Sequence, residues 1–284
     1  MKLPLKRILV PTDFSAISMF ALDYAAGIAK TTNAEITLLH VYDAPDLPKV
    51  KQAFNIADLI EKGIAEKFNE IKAKDKNLVG ITLKSKVVGG KIHEKIEDVA
   101  AEIKADLIVM GTHGNTGIRR IGKFLLGSNA YRVVNNAPCP IITIKEVGKK
   151  VNFKNIILPI DNSKETMKKV ELAMEWAKSF GSTIHILALT AFFDELVVQI
   201  KDLKEQVEEV EALLQKNGIP FVSKMIRHQR LSESVLSYAD KVNADLIFIV
   251  TEQENVLADM IIHSAARNIV SDSAVPVLSI NISK

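Results

Sequence analysis

The sequence predicts an α/β protein made of two tandem, doubly wound parallel sheets of five strands each, and three observations carry that prediction. Short runs of Ile, Leu and Val are separated by longer segments whose apolar residues recur at helical spacing. Strands buried on both faces beneath covering helices read this way. The pattern also occurs twice: Ile8-Leu9-Val10-Pro11-Thr12-Asp13 returns 148 residues later as Ile156-Ile157-Leu158-Pro159-Ile160-Asp161. Ala105-Asp106-Leu107-Ile108 returns 139 residues on at Ala244, and Pro140-Ile141 returns 136 residues on as Pro276-Val277. Self-similarity over such distances marks tandem copies, the second slightly shorter.

The elements of the first copy follow in order. Arg7 to Pro11 reads as the first strand, and Ser15 as the N-cap of a helix whose apolar face is Ile17, Phe20, Ala21, Tyr24, Ala25 and Ile28. Phe14 and Met19 are spaced as a hydrophobic staple across that helix start. Glu35 to Tyr42 is the second strand. After a proline-bearing loop, an amphipathic helix is expected to turn Phe54, Ile56, Leu59, Ile60, Ile64, Phe68 and Ile71 inward. Ile81 to Val88, Ile92 to Ile103 and Asp106 to Met110 give strand, helix and strand. A loop with glycines at 111, 114, 117, 122 and 127 leads into a helix from Asn129 to Asn136, and Cys139 to Ile144 closes the copy.

The second copy repeats this order from Lys154 to Ile280, with a long helix over Asp194 to Lys216. Its Leu196, Ile200, Leu203, Val207, Val210 and Leu214 alternate at four and three residues, a stripe suited to a sheet or to a short coiled coil. The charged segment Lys145 to Lys150 interrupts the pattern, so domains over 1–146 and 152–284 are expected. Strand five of each copy should be an apolar sheet edge in need of cover, and pairing of the two within one chain would supply it.

Composition narrows the class. The 284 residues are 48% apolar and the charges nearly balance at +3, which gives no reason to expect a nucleic-acid or membrane partner. No stretch approaches the roughly 18 consecutive apolar residues of a spanning helix. Met1 to Val10 is interrupted by charges and stops at Pro11, so it reads as a strand and not a leader. A single cysteine, Cys139, excludes an intrachain disulfide and fits a reducing, cytoplasmic setting.

Chemistry concentrates after the fourth strand, at Gly111-Thr112-His113-Gly114-Asn115-Thr116-Gly117 and then Gly127-Ser128. The first turn of a helix presents amides without partners at the positive end of the peptide dipoles, and glycines let an oxyanion approach them. Arg119, Arg120 and Lys123 could add countercharge. The loop is neither a P-loop, since no Gly-Lys-Ser/Thr occurs, nor a dinucleotide fingerprint. In an open doubly wound sheet, ligands bind where the winding reverses, at the carboxyl ends of the strands. If strands one and four meet there, Thr12-Asp13 and the glycine loop line one crevice. The second copy has Thr251-Glu252-Gln253-Glu254-Asn255 and His263-Ser264 at the matching places, so its anion site is expected to be lost.

Together, Ile8 to Ser15, Gly111 to Gly114, Gly127-Ser128 and Ala137-Pro138-Cys139-Pro140-Ile141 resemble the universal stress protein family in a tandem form. The resemblance implies an adenine nucleotide alpha hydrolase-like fold with strand order 3-2-1-4-5 in each half. It also implies ATP, with or without Mg, held by a Gly-x2-Gly-x9-Gly-Ser/Thr loop. Carried over, Asp13 and the backbone of Val41 would meet the adenosine end, with Pro11, Thr12, Met110, Gly111 and His113 beside them. Gly114, Gly117, Gly127, Ser128 and Asn129 would hold the phosphates. Nine residues separate Gly117 from Gly127 and twelve separate Gly114 from it, leaving two registers for the loop. The family's single-domain members pair as dimers, so the tandem chain reads as an internal pseudo-dimer, with a further homodimer open.

Two other functions compete with ATP binding in a stress response. One is a scaffold without nucleotide, favoured by the degenerate second loop and the striped helix. The other is a phosphoryl-transfer enzyme, which needs a mutually supporting nucleophile, base and orienting group. Asp13 and His113 do not make such a set, and no catalytic residue is expected.

Overall fold

The ten expected strands all form, and the two sets of five join edge to edge into one sheet instead of standing as separate sheets. The computed structural model describes residues 3, 5–42, 53–112, 127–147, 151–160, 166–191, 197–228, 230–251 and 260–281. The first lobe comprises β1 (Arg7–Pro11), α1 (Ala16–Thr32), β2 (Glu35–Tyr42), α2 (Ala53–Lys74), β3 (Leu83–Gly89), α3 (Ile92–Glu102), β4 (Leu107–Gly111), α4 (Ser128–Asn136) and β5 (Ile141–Ile144). The second comprises β6 (Asn155–Ile160), α5 (Thr166–Phe180), β7 (Thr183–Ala191), α6 (Val197–Lys216), β8 (Phe221–His228), α7 (Leu231–Lys241), β9 (Leu246–Thr251), α8 (Met260–Asp272) and β10 (Val277–Asn281).

The sheet order is β3-β2-β1-β4-β5-β10-β9-β6-β7-β8. Each half therefore has the order 3-2-1-4-5. Within each half the strands run parallel, and the halves meet through the antiparallel pair β5–β10, where Leu278 lies opposite Ile142. Both strands are apolar and nearly all buried, so an open edge on either would expose an unpaired ladder. Polar groups flank the seam: Asn281 Nδ2 donates to the Asn135 carbonyl at 2.6 Å, and Lys145 Nζ to the Asp272 carbonyl at 3.2 Å.

Each copy also lends the segment before its first strand to the other. The Leu3 amide donates to Ser179 Oγ on α5 at 2.8 Å, while Val151 lies against α1 so closely that a Cβ on Gly27 would come within 2.8 Å of it. Phe153 then packs between the lobes, its ring 5.0 Å from Tyr24, 5.6 Å from Trp176 and 4.4 Å from Phe180.

This exchange explains a departure from the sequence pattern. Helix α1 buries Leu22, Ala26 and Ala29 besides Ala21, Tyr24, Ala25 and Ile28, whereas Ile17 and Phe20 are half-buried. A helix with a partner lobe beside it and a sheet beneath it is covered on more than one stripe. Helix α2 departs the other way, because no element among the described residues covers its outer flank: Leu59 is 69% exposed and Ile60 38%, while Phe68 is buried. The side chains of Phe54 and Ile56 lie outside the described residues. On α6, Leu203, Val210 and Leu214 are buried in the core and Val207 packs against them, so this stripe serves its own sheet. Leu196 and the Ile200 side chain lie outside the described residues.

Cys139 is half-buried, and burial with the Asp106 carboxylate nearby pushes its thiol up to about 12. At pH 8 the reactive thiolate is then scarce. Ellman's reagent should modify Cys139 slowly in the folded chain and rapidly in urea; equal rates would contradict this environment. Replacing Phe153 by Ala empties the inter-lobe contact and should cost about 3–5 kcal/mol, read as a lower midpoint in urea unfolding.

Candidate functional site

Strand β1 pairs with β2 on one side and β4 on the other, Ile8 opposite Leu107 and Leu9 opposite Ile108. The winding reverses between β1 and β4, and the crevice beyond their carboxyl ends is the place such sheets reserve for ligands.

The wall after β1 is held by a dense local network. The Thr12 amide donates to the Leu39 carbonyl at 2.8 Å. Thr12 Oγ1 accepts from the Phe14 amide at 2.9 Å, and it lies 2.9 Å from Ser18 Oγ. Ser18 spends its only hydroxyl proton on the Ser15 carbonyl, so Thr12 is the donor to Ser18. Asp13 Oδ1 accepts from the Ser15 amide at 3.0 Å, and Ser15 Oγ in turn caps α1 through the Ser18 amide. His40 Nδ1 sits 2.8 Å from the Thr12 carbonyl, which can only accept, so the proton is on Nδ1.

Phe14 pays for this compactness with a left-handed backbone, φ 62°. For a bulky side chain that conformation costs about 1–3 kcal/mol and persists only where its neighbours enforce it. Here they do: the ring stacks on His40 with centroids 4.9 Å apart, leans on Phe68 at 5.7 Å, and carries Lys67 Nζ 4.2 Å above it. Ser18, His40 and Lys67 were not singled out from the sequence. Ser18 had one legible signal, a polar residue three places after a helix cap; His40 and Lys67 had none.

The opposite wall follows β4. The Thr112 amide donates to the Ile144 carbonyl at 2.8 Å, and the Thr112 carbonyl accepts from the Gly127 amide at 3.1 Å. Gly127 is the N-cap of α4, without a side-chain cap, at φ −57°. Its lack of a Cβ matters for space and not for conformation, since a Cβ would stand 2.8 Å from the Thr112 oxygen. The glycine thereby seats the first turn of α4, with the amides of Ser128, Asn129 and Ala130, at the end of β4. Ser128 is exposed and Asn129 half-buried.

Of the residues singled out from the sequence, Pro11 and Thr12 are buried and Asp13 is half-buried at the end of β1. Val41 is half-buried in β2, Met110 is buried at the end of β4, and Gly111 closes that strand. They lie at the carboxyl ends of β1, β2 and β4, and Gly127, Ser128 and Asn129 lie at the start of α4. His113, Gly114 and Gly117, with Arg119, Arg120 and Lys123, lie outside the described residues, so the register of the loop does too. Among the described residues, no three His, Cys, Asp or Glu side chains gather as a metal site.

The second lobe differs at the same place. Ile108 and Ile247 donate to Pro140 and Pro276 in equivalent bonds, and buried Val133 and Val134 of α4 match buried Ile269 and Val270 of α8. In that register Gly127 corresponds to His263, yet α8 already begins at Met260. The helix therefore already runs through the position at which α4 only starts. Buried Lys169 of α5 also donates to the Pro159 carbonyl in β6, where α1 has Ala21. Glu252, Gln253, Glu254 and Asn255 lie outside the described residues.

The model of the universal stress protein family matches residues 4–145 and again 152–281. A universal stress protein of Methanocaldococcus jannaschii is 36% identical over 148 residues, covering 51% of this chain and 85% of the relative. A second from the same organism is 33% identical over 157 residues, covering 49% and 94%. The solved structure of a universal stress protein from Archaeoglobus fulgidus superposes with a TM-score of 0.75 at 21% identity, covering 99% of this chain and 97% of that one; at that identity it shows the fold alone.

Gly127→Ala should cost about 1–3 kcal/mol, as overpacking against a fixed backbone does, and should speed amide exchange in the first turn of α4. Gly63→Ala, on an exposed face of α2 with nothing within 4 Å, is the control and should stabilise by about 0.5–1 kcal/mol. Equal responses in urea unfolding would remove the role assigned to Gly127.

Proposed function

The chain belongs to the universal stress protein family, and we propose that it is an ATP-binding member that holds one nucleotide, in the first lobe. The observation that carries this reading is the close seating of Gly127 on Thr112, which leaves the first-turn amides of α4 at the winding reversal. Phosphate oxygens suit amides at the positive end of a helix. Asp13 and the Val41 backbone then take the adenosine end, while Gly114, Gly117, Ser128 and Asn129 take the phosphates, with Mg as the phosphates' counterion. The run of α8 through His263, where the first lobe has only the helix start, and the buried Lys169 argue against an equivalent site in the second lobe.

Binding, and not turnover, is the activity proposed, because the described walls bring together no nucleophile, base and orienting group. In this reading the two lobes make, within one chain, the pair that single-domain members are understood to form between chains, and the setting is reducing and cytoplasmic.

The purified protein should carry adenine nucleotide, seen by absorbance at 260 nm and mass spectrometry, or bind ATP with a stoichiometry near one by calorimetry. Gly127→Glu should weaken binding at least about tenfold, about 1.4 kcal/mol. An azido-ATP label should map to peptides around residues 111–136. Failure to bind at millimolar ATP would remove the reading; labelling of residues 251–272 would remove its assignment to the first lobe.

A further inference from the structure

The two copies correspond position for position in strand register and helix length at the outer flank of each lobe, which allows one to be read against the other. Leu39 of β2 lies opposite Lys86 of β3, and Leu187 of β7 lies opposite Lys224 of β8, so Lys86 and Lys224 are equivalent. Helices α3 and α7 both have eleven residues, and buried Ile96, Val99 and Ala100 match buried Val235, Tyr238 and Ala239. Glu102 at the end of α3 is therefore equivalent to Lys241 at the end of α7.

In the first lobe Lys86 Nζ and the Glu102 carboxylate form an ion pair at 2.5 Å, and Lys95 pairs with Asp98 at 2.8 Å. Strand edge and helix are thus tied by opposite charges. In the second lobe the glutamate has become Lys241, facing Lys224, and Asp98 has become Ser237. Like charges cannot make that tie. Between β8 and α7 lies a cavity of about 400 Å3, lined by Lys224, Arg230, Lys241, Ser234, Ser237 and Tyr238, together with Ile226 and Glu233.

Glu233 neutralises Arg230 at 2.8 Å, leaving the two lysines as the net charge of the groove. Lys224 Nζ lies 5.4 Å from the centre of the Tyr238 ring, and the Tyr238 hydroxyl meets His185 Nδ1 at 3.3 Å. That ring stands where the first lobe has the smaller Val99, and it forms an aromatic floor beneath the cations.

We propose that the groove between β8 and α7 is a binding site for a small phosphorylated anion, separate from the crevice of the first lobe. Two ammonium groups, a guanidinium and two serine hydroxyls within one cavity of ligand size supply the donors that phosphoryl oxygens take. A phosphoryl group lying between Lys224 and Lys241 restores the attraction that Glu102 provides in the first lobe. A compact ligand fits better than a long polyanion, because the cations gather in one cavity and form no stripe.

The probe is inorganic pyrophosphate, titrated into the full chain carrying Gly127→Glu so that the first-lobe site does not contribute. Amide resonances over residues 230–241 should shift saturably at 150 mM NaCl. Lys241→Glu, which restores the charge pattern of the first lobe, should weaken the apparent affinity at least tenfold, and Lys241→Gln by less. Ribose 5-phosphate run in parallel separates the sources: tighter binding assigns a phosphate ester, weaker binding a bare polyphosphate. Shifts that are absent, fail to saturate, or persist unchanged in Lys241→Glu overturn the proposal, whatever the outcome for ATP in the first lobe.

Discussion

The antiparallel pairing of β5 with β10 is the constraint on which the molecule depends. A strand whose residues are buried on both faces still presents a row of amides and carbonyls at its edge, and those groups need partners. Joining the two apolar edges satisfies both at once and turns two five-stranded sheets into one. The remaining edges, β3 and β8, are of another kind. They are more exposed, and they carry basic residues, Lys84 and Lys86 on β3 and Lys224 and Arg227 on β8, the usual guard against further strand addition. The exchange of Leu3 and Val151 between lobes, with Phe153 packed among aromatic rings from both, secures the helical layer above the same seam.

Because the seam joins the fifth strands, it lies apart from the winding reversal between the first and fourth strands of each half. In the first lobe the described surroundings of that reversal are short polar ties, Thr12 to Ser18, Asp13 to Ser15 and His40 to Thr12, and a helix start pressed against a backbone carbonyl. The strain at Phe14 is confined to the same loop, and its stacking partners hold it there.

Duplication has let the halves diverge without disturbing the core. Most equivalent buried positions in the sheet keep Ile, Leu or Val, and polar exceptions find partners, as His185 does in Tyr238 and Thr143 in the Val277 carbonyl. Divergence falls on helix starts and strand flanks: Gly127 against His263, Ala21 against Lys169, Glu102 against Lys241. Glu102 and Lys241 are exposed, where a change of charge costs little stability, whereas buried Lys169 is accommodated by its bond to the Pro159 carbonyl.

The sequence by itself determined the ten strands and their duplication, and its resemblance to the family implied their order within each half. Hydrophobic runs, their repetition and right-handed crossovers depend on local patterning and chain connectivity, which are written along the chain. It also marked Gly127 and Asp13, because a glycine before a helix and an acid after a strand are local signals. Tertiary structure alone decided the rest. That Leu22 and Ala26 are buried while Leu59 is exposed depends on which helix has a partner lobe beside it. That His40 supports Thr12, and that Lys241 faces Lys224 where Glu102 grips Lys86, depends on strands and helices distant in sequence meeting at one register. Periodicity reports which side of an element is apolar; only the assembled fold places another element against that side.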